Sequence, residues 1–248
     1  MLFNKEPFVF NFDKLDAIAK ENHSVYVHAE PFQHIVLEDF LPKYHANKVL
    51  SVFPDPSSNI WVNFGKRDAA HQAKKLGIGP GSRLNDASPY ILNLLSAFNS
   101  YPFLNFLEKL TGIIGLLPDP YFKGGGIHQI LTGGRLAIHT DFNELKHLKL
   151  YRRINVLFYL NKNWRPEYNG NLELWGEGLE RCEKSIVPAF NKLVVFNTTK
   201  KTFHGHPKPL KTPSNVTRKS IALYFYTIEP SPLDQYDGIT DWQETESS

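Results

Sequence analysis

The chain has 248 residues, of which 42% are hydrophobic, and this is enough apolar material for one folded domain of ordinary size. Its formal net charge is +3 at pH 7, and its lysines occur as scattered pairs such as Lys74-Lys75 and Lys200-Lys201 rather than as a basic block, which argues against nucleic-acid binding. A single cysteine, Cys182, excludes a framework of internal disulfides, the first ten residues lack the features of a signal peptide, and no apolar run reaches the roughly 18 residues that a membrane span needs. We therefore expect a cytoplasmic protein with no membrane partner.

The first half of the sequence has mainly helical patterns. Apolar residues at helical spacing, with proline at helix starts and glycine after helix ends, mark four helices. These predicted helices cover 12–21, 42–52, a segment that begins at Ser88-Pro89, and Pro102 to about Leu110. Residues 31–40 alternate like a strand, whereas residues 53–88 are polar and contain glycine, proline and serine. This composition predicts a long loop or flap over 53–88.

From residue 126 onward the apolar residues recur with a period of two, which is typical of β-strands. The predicted strands lie in GIHQIL, GRLAIHTDF, RRINVLFYLN, GNLELW, NKLVVFNTT and RKSIALYFYT. Helices followed by closely spaced strands predict an α+β fold, with two antiparallel sheets forming a barrel against a helical buttress. We expect a single domain, 1–248, with a mainly helical part at 1–114, a β core at 115–230 and an acidic tail at 231–248 that is a surface strap or disordered.

The most informative motif is His139-Thr140-Asp141. Residues two apart on a strand point to the same side, so this histidine and this carboxylate would converge on one point. A third ligand must come from another strand, and both His204 and His206 are candidates. Two neutral nitrogens and one carboxylate, with the opposite face left open, form the ligand set of non-haem Fe(II) oxygenases.

Strand parity places further polar residues on the same inner face. In the last strand Arg218 shares its parity with Ser220 and Ala222, and an arginine followed by two small residues leaves space for a ligand carboxylate, which a guanidinium binds well. In RRINVLFYLN the inward set would be Asn155, Leu157 and Tyr159. This mixture of polar and apolar side chains is unlike a plain core.

Five motifs in this order resemble the 2-oxoglutarate and Fe(II) dependent dioxygenases, in particular their prolyl 4-hydroxylase-like branch. The resemblance covers roughly residues 115–228, and the helical first half is also similar to bacterial and viral members. The motifs are HTDF, YLNKNW, GNLELW, HGHPKPL and RKSIALYFYT. The resemblance implies a double-stranded β-helix core, of the jelly-roll or cupin-like kind, and a requirement for Fe(II), for 2-oxoglutarate as cosubstrate and for O2, with ascorbate as a reductant.

The resemblance also implies roles for individual residues. His139, Asp141 and His204 would hold Fe(II), Arg218 would pair with the distal carboxylate of 2-oxoglutarate, and Tyr159 would hydrogen-bond to the same carboxylate. His206 competes with His204 for the third ligand position; the pattern of a histidine followed by Gly-x-Pro favours His204, although its step of fourteen residues to Arg218 is longer than usual.

Two further residues, His128 and Gln129, lie on the strand before the metal strand. We expect one of them to line the cosubstrate or substrate pocket.

The implied reaction is hydroxylation of an unactivated C–H bond, with a prolyl residue in a peptide or protein as the expected substrate and the 53–88 segment as a flap that covers it. A free amino acid or another small metabolite is the alternative substrate. A second hypothesis is a barrel module that binds metal without catalysis, but an intact Arg218 and Tyr159 argue against it. A zinc hydrolase is disfavoured because no glutamate stands beside the ligands as a general base.

Overall fold

The computed structural model describes residues 9–79, 81–232 and 234–243. Helices and strands alternate in the first half of this described part, and the second half consists almost wholly of strands. The helices are α1 (Phe12–Val27), α2 (Lys43–Ser51), α3 (Gly81–Ala87), α4 (Pro89–Phe98) and α5 (Tyr101–Thr111). The strands are β1 (His34–Leu37), β2 (Val62–Asn63), β3 (Lys75–Ile78), β4 (Leu117–Pro118), β5 (Gly126–Ile130), β6 (Leu136–Thr140), β7 (Glu144–Leu145), β8 (Leu150–Tyr159), β9 (Leu172–Trp175), β10 (Cys182–Ile186), β11 (Lys192–Asn197), β12 (Phe203–His206), β13 (Arg218–Thr227) and β14 (Asp241–Trp242).

The ends of the helices follow from local sequence. The Ser88 side chain accepts a hydrogen bond from the backbone N–H of Tyr90 at 3.2 Å, and Pro89 occupies the first position of α4, where a missing N–H costs nothing. Helix α5 ends at Gly112, whose φ of +75° is a left-handed conformation that glycine adopts without a steric penalty. Both helices therefore begin and end close to where the sequence predicts.

The helices pack against the outer face of one sheet through a core rich in phenylalanine. The Phe98 ring lies 6.1 Å from Phe158 of β8, and the Phe103 ring lies 5.8 Å from Phe225 of β13, measured between ring centroids. Outward residues of these two strands, such as Val156 and Leu223, are buried in the same cluster. Because the helical buttress covers this face, a functional site on this sheet would lie on the opposite face.

The strands form two antiparallel sheets. The larger sheet has the order β1-β11-β8-β13-β5-β3-β2, with β4 paired to β13 and β7 to β8; the smaller sheet has the order β10-β9-β12-β6-β14. The sheets face each other, since Val194 and Phe196 of the larger sheet share a buried cluster with Leu172 and Leu174 of the smaller one. At one end of this interface the core gives way to a cavity lined by polar residues.

The structure corrects one expectation from the sequence and agrees with one of the two alternatives given for the tail. Residues 53–88 are not one long loop, because β2 and β3 lie within them and β3 pairs with β5 of the larger sheet. These strands have only two and four residues, too few for an alternating pattern to be recognised. In the tail, β14 pairs with β6, so the described part of 231–248 straps the edge of the smaller sheet.

None of the helices in the described ranges combines the length and the apolar character that crossing a bilayer requires.

Candidate active site

The two sheets bring His139, Asp141 and His204 together. His139 lies on β6 and Asp141 directly after its end, while His204 lies on the neighbouring strand β12, opposite His139 in the register. One ligand atom from each of the three side chains falls within 4.8 Å of the others. All three residues are at most 9% exposed. Three donors of the types predicted from the sequence therefore converge in a shielded pocket.

Hydrogen bonds to the backbone set the orientation of both imidazoles. Nδ1 of His139 lies 2.8 Å from the carbonyl oxygen of Ala137, and Nδ1 of His204 lies 3.0 Å from that of Thr202. Since a carbonyl oxygen can only accept, each Nδ1 carries the proton and each Nε2 presents a lone pair. These Nε2 atoms lie 3.5 Å (His139) and 3.3 Å (His204) from the Asp141 carboxylate. Such neutral nitrogens are ready to bind a cation.

The Asp141 carboxylate is held by a buried network that the sequence did not reveal. Its Oδ2 accepts hydrogen bonds from Nδ2 of Asn155 at 2.6 Å and from Nη2 of Arg152 at 2.8 Å. Arg152 has no solvent exposure, and its guanidinium carbon lies 3.4 Å from the centre of the Tyr224 ring. Burial by itself raises the pKa of Asp141, but Arg152 and then His204 lower it well below its usual value, so the carboxylate is ionised.

A bulge in β8 explains why strand alternation did not predict Arg152 on the inner face of the sheet. Residues Asn155, Leu157 and Tyr159 of β8 point inward, so alternation would turn Arg152 toward the helices. The register between β8 and β13 shifts between Phe225 and Tyr226, however, and this shift brings Arg152 to the inner face. The position of Arg152 next to a candidate metal ligand thus depends on this one irregularity in the strand pairing.

A second bulge lies opposite the two histidines of β12. His204 pairs with His139, but His206 pairs with Leu136, so β6 carries one extra residue between the two pairs. The strands approach closely here, because a Cβ at Gly205 would lie 2.6 Å from the carbonyl oxygen of Ala137. Both histidines face the cavity, because residues two apart on β12 share one side of the strand. Only His204 belongs to the converging group, and burial, followed by Arg218 and Lys75, lowers the pKa of His206 well below its usual value.

Arg218 and Tyr159 lie together on the larger sheet, as the sequence predicts. Nη2 of Arg218 donates to the Tyr159 hydroxyl at 3.1 Å, and its Nε donates to the carbonyl oxygen of Gly170 at 2.7 Å. Arg218 is 5% exposed and lines the cavity with Ser220 and Ala222, the two small residues that follow it in phase. Burial raises the pKa of Tyr159 although Arg218 lowers it, so the hydroxyl keeps its proton.

Lys75 adds a second cation that the sequence did not indicate. It pairs with Ile130 on one side of β5, and Arg218 pairs with Ile130 on the other side, so the two cations lie in one row across the sheet. Burial lowers the pKa of Lys75 to about 8. Lys75 was hidden because it lies in the segment expected to be a loop.

Of the two residues expected on β5, His128 lines the cavity and Gln129 does not. His128 packs against Gly77, where a Cβ would lie 2.5 Å from its ring, and burial lowers its pKa well below the usual value. Gln129 points to the opposite face, where it accepts a hydrogen bond from the Thr217 hydroxyl at 2.9 Å. The strand period of two separates them, since neighbouring residues cannot share a face.

A cleft of about 700 Å³ opens beside the cavity. Its walls come from the 53–88 segment and from the loop before β5, with the aromatic residues Phe64, Tyr121 and Phe122 among them. Two contacts connect it to the candidate site: Gly77 abuts His128, and the carbonyl oxygen of Gly124 accepts a hydrogen bond from the Tyr224 hydroxyl at 3.0 Å.

Comparisons with known proteins bear on this arrangement. The model of the 2OG-Fe(II) oxygenase superfamily matches residues 125–226, which include all three converging ligands, Tyr159 and Arg218. This segment of the chain is therefore similar to that superfamily. The match supports the resemblance seen in the sequence, and with it Fe(II) and 2-oxoglutarate as the expected metal and cosubstrate.

Individual relatives are more distant. The chain is 27% identical over 207 residues to prolyl 3-hydroxylase OGFOD1 of Mus musculus; the match covers 79% of this chain and 33% of the mouse protein, so the chain spans about a third of that relative's length. Among solved structures, a prolyl hydroxylase from Trichoplax adhaerens, in complex with a fragment of hypoxia inducible factor, shares 18% identity and a TM-score of 0.63, with 90% of this chain and 95% of that chain covered. HygX of Streptomyces hygroscopicus, with nickel and 2-oxoglutarate bound, shares 12% identity and a TM-score of 0.55 and covers 84% and 87% of the two chains. These likenesses confirm the double-stranded β-helix fold.

The residues present fit the metal of this family. Two Nε2 lone pairs and one ionised carboxylate form the facial triad that suits Fe(II) and leaves positions open for other ligands. The backbone carbonyls, Asn155 and Arg152 form the surrounding hydrogen bonds that usually orient such ligands.

Proposed function

We propose that this chain is a dioxygenase that uses Fe(II) and 2-oxoglutarate to hydroxylate an unactivated C–H bond of a prolyl residue in a peptide or protein. One observation carries the proposal: His139, Asp141 and His204 converge in a cavity that also contains a buried arginine for which the described residues provide no acidic partner. A metal site alone does not need such an arginine, whereas a dicarboxylate cosubstrate does.

Each residue then has a defined task. His139, Asp141 and His204 hold the metal, and Arg218 binds the distal carboxylate of 2-oxoglutarate with a hydrogen bond from the Tyr159 hydroxyl alongside. Bound iron supplies the oxidative chemistry, in which 2-oxoglutarate is converted to succinate and carbon dioxide while one oxygen atom enters the substrate. The protein positions the reactants and excludes water, because the side chains around the triad are almost fully buried.

The cleft beside the cavity supports a peptide rather than a small molecule as substrate. Its volume of about 700 Å³ is open to solvent, and an extended chain could enter it with one residue directed at the triad past His128 and Tyr224. Val62, Phe64 and Arg67 contribute to its wall, so the 53–88 segment is our candidate for the part that covers the substrate. The names of the relatives point the same way, since prolyl hydroxylases are among them. We place the reaction in the cytoplasm, in keeping with the single cysteine.

The decisive experiment is an assay for succinate formed from 2-oxoglutarate in the presence of Fe(II), O2 and ascorbate. Candidate substrates are proline-containing peptides, the same peptides with alanine in place of proline, and free amino acids. The proposal expects succinate and a mass increase of one oxygen atom with the proline peptides only, and amino-acid analysis then identifies the hydroxylated carbon. Turnover with free amino acids alone would favour the small-molecule alternative. Metal binding without succinate from any substrate would favour the non-catalytic barrel.

A further inference from the structure

His206 is a buried histidine for whose ring nitrogens the described residues offer no hydrogen-bond partner. It is 2% exposed, and neither Nδ1 nor Nε2 has a hydrogen-bond partner among the described residues. Buried polar side chains in folded proteins nearly always have a partner, so an orphaned one points to a group that binds there. His139 and His204 differ in this respect, because each uses Nδ1 to donate to a backbone carbonyl.

The position of His206 indicates what that group is. His206 lines the same cavity as the triad, but the bulge on β6 places it opposite Leu136, away from His139 along the strand. It also lies beside Gly170, with which it shares the wall of a neighbouring recess. The carbonyl oxygen of Gly170 accepts the hydrogen bond from Nε of Arg218, so Gly170 connects the recess beside His206 to the arginine.

This end of the cavity contains two cationic side chains, and the described residues place no carboxylate in an ion pair with either. Arg218 hydrogen-bonds only to neutral oxygens, those of Gly170 and Tyr159, and Lys75 donates to the side-chain amide of Gln72. Over the part of the chain that the structure describes, neither cation forms an ion pair with a carboxylate. Buried or partly buried cations are normally paired, so an anionic group is required here. A histidine ring, in either tautomer, offers one N–H to such an anion.

We propose that His206 donates a ring N–H to the distal carboxylate of 2-oxoglutarate, beside the contacts from Arg218 and Tyr159. This inference rests on the proposed function, since it assigns a further contact in the same cosubstrate site. His206 thereby becomes a cosubstrate-positioning residue, and its lack of a protein partner is explained by the ligand that completes it. The hydrogen bond acts on one carboxylate only, so the keto acid end of the cosubstrate is unaffected.

The test measures binding rather than turnover. The full chain is loaded with Zn(II), which does not undergo redox chemistry, and is titrated by calorimetry with 2-oxoglutarate and with 2-oxovalerate, which has the same keto acid end but lacks the distal carboxylate. The variants are His206→Leu, which fills the space without a donor, and His206→Asn and His206→Gln, which keep a donor at two different reaches. We expect His206→Leu to raise the Kd for 2-oxoglutarate by about tenfold or more, as for loss of a hydrogen bond to a charged group, with at least one amide variant recovering part of the affinity.

The outcomes separate the two hypotheses. An unchanged Kd for 2-oxoglutarate in His206→Leu, or an equal loss for 2-oxovalerate, would overturn the role of His206 while leaving the proposed function in place. Failure of the unaltered protein to bind 2-oxoglutarate would overturn the proposed function itself. If the variants do not fold, the unaltered Zn(II) protein labelled with ¹⁵N on histidine gives the answer by NMR: the proposal requires a ring N–H of His206 to become protected from exchange when 2-oxoglutarate is added, and continued rapid exchange contradicts it.

Discussion

The two ends of the cavity differ in how far the protein satisfies its own polar groups. At the metal end, His139 and His204 are oriented by backbone carbonyls and Asp141 by Asn155 and Arg152. At the cosubstrate end, Arg218 and Lys75 have no acidic partner in the described ranges, and both ring nitrogens of His206 are unpartnered. The protein itself thus organises the metal end, whereas we propose that 2-oxoglutarate completes the cosubstrate end. Substitutions at the two ends should therefore change different measured quantities.

The largest effect is expected at the metal end, where His139→Ala should abolish turnover. It removes one of three protein ligands, so metal affinity should fall by more than about tenfold, while the fold stays intact. Asp141→Ala should also abolish turnover, but it strands the buried Arg152 and should lower the free energy of unfolding by about 3–5 kcal/mol. Metal titration and chemical denaturation of both variants check this. Equal stability of the two variants would contradict the Arg152 pairing, and full activity in either would contradict the oxygenase assignment.

The second test compares the two histidines of β12, which belong to different ends. His204→Ala should lose all detectable turnover and most metal affinity, because only His204 has a nitrogen in the converging group. His206→Ala should retain a measurable fraction of turnover at saturating 2-oxoglutarate, with metal affinity unchanged. Succinate production and metal titration measure both. The reverse pattern would make His206 the third ligand and would shift the boundary between the two ends.

Arg218 gives the third test, at the cosubstrate end alone. Removing one partner of a buried bidentate charge pair costs about 2–5 kcal/mol. Arg218→Ala should therefore raise the 2-oxoglutarate concentration for half-maximal activity by about thirtyfold or more, with little change in metal affinity. Arg218→Lys should fall between, since lysine keeps the charge and loses the planar fork. An unchanged requirement for 2-oxoglutarate in Arg218→Ala would mean that Lys75 binds the distal carboxylate or that the assignment of this cosubstrate site is wrong.

The sequence predicts the metal end better than the cosubstrate end, and the reason is physical. At the metal end, His139 lies on β6 and Asp141 directly after it, in a run long enough to show a period of two, so their inward parity can be read directly. At the cosubstrate end this holds for Arg218 on β13. The longer helices are predictable for a similar reason, because the Ser88-Pro89 start and the Gly112 end are local signals. The β core could be recognised as a double-stranded β-helix from its motifs, and the comparisons confirm that fold.

Residues that the sequence missed depend on irregular or short elements. Bulges bring Arg152 to the Asp141 carboxylate and Leu136 to the cavity wall, and they reverse parity without any signal in the residue pattern. Lys75 lies on a strand of four residues within a polar segment, where alternation is too brief to detect. His204 and His206 have the same parity, so parity alone left both open, and the resemblance favoured His204. In the structure, Nε2 of His204 lies 3.3 Å from the Asp141 carboxylate.

The smallest predicted effect comes from the tail. Trp242 of β14 pairs with His139, its ring centroid lies 4.6 Å from that of His139, and on another side it stacks on His71 at 4.8 Å. Such an aromatic contact contributes about 0.5–1.5 kcal/mol, so Trp242→Ala should weaken metal binding by about two- to tenfold through a less firmly held imidazole. The 2-oxoglutarate affinity of the metal-saturated protein should stay the same, because Arg218 and Tyr159 lie on the other sheet. Trp242→Phe, which keeps a ring, should restore most of the metal affinity. If Trp242→Ala instead weakened 2-oxoglutarate binding at saturating metal, the two ends of the cavity would not respond independently to substitution.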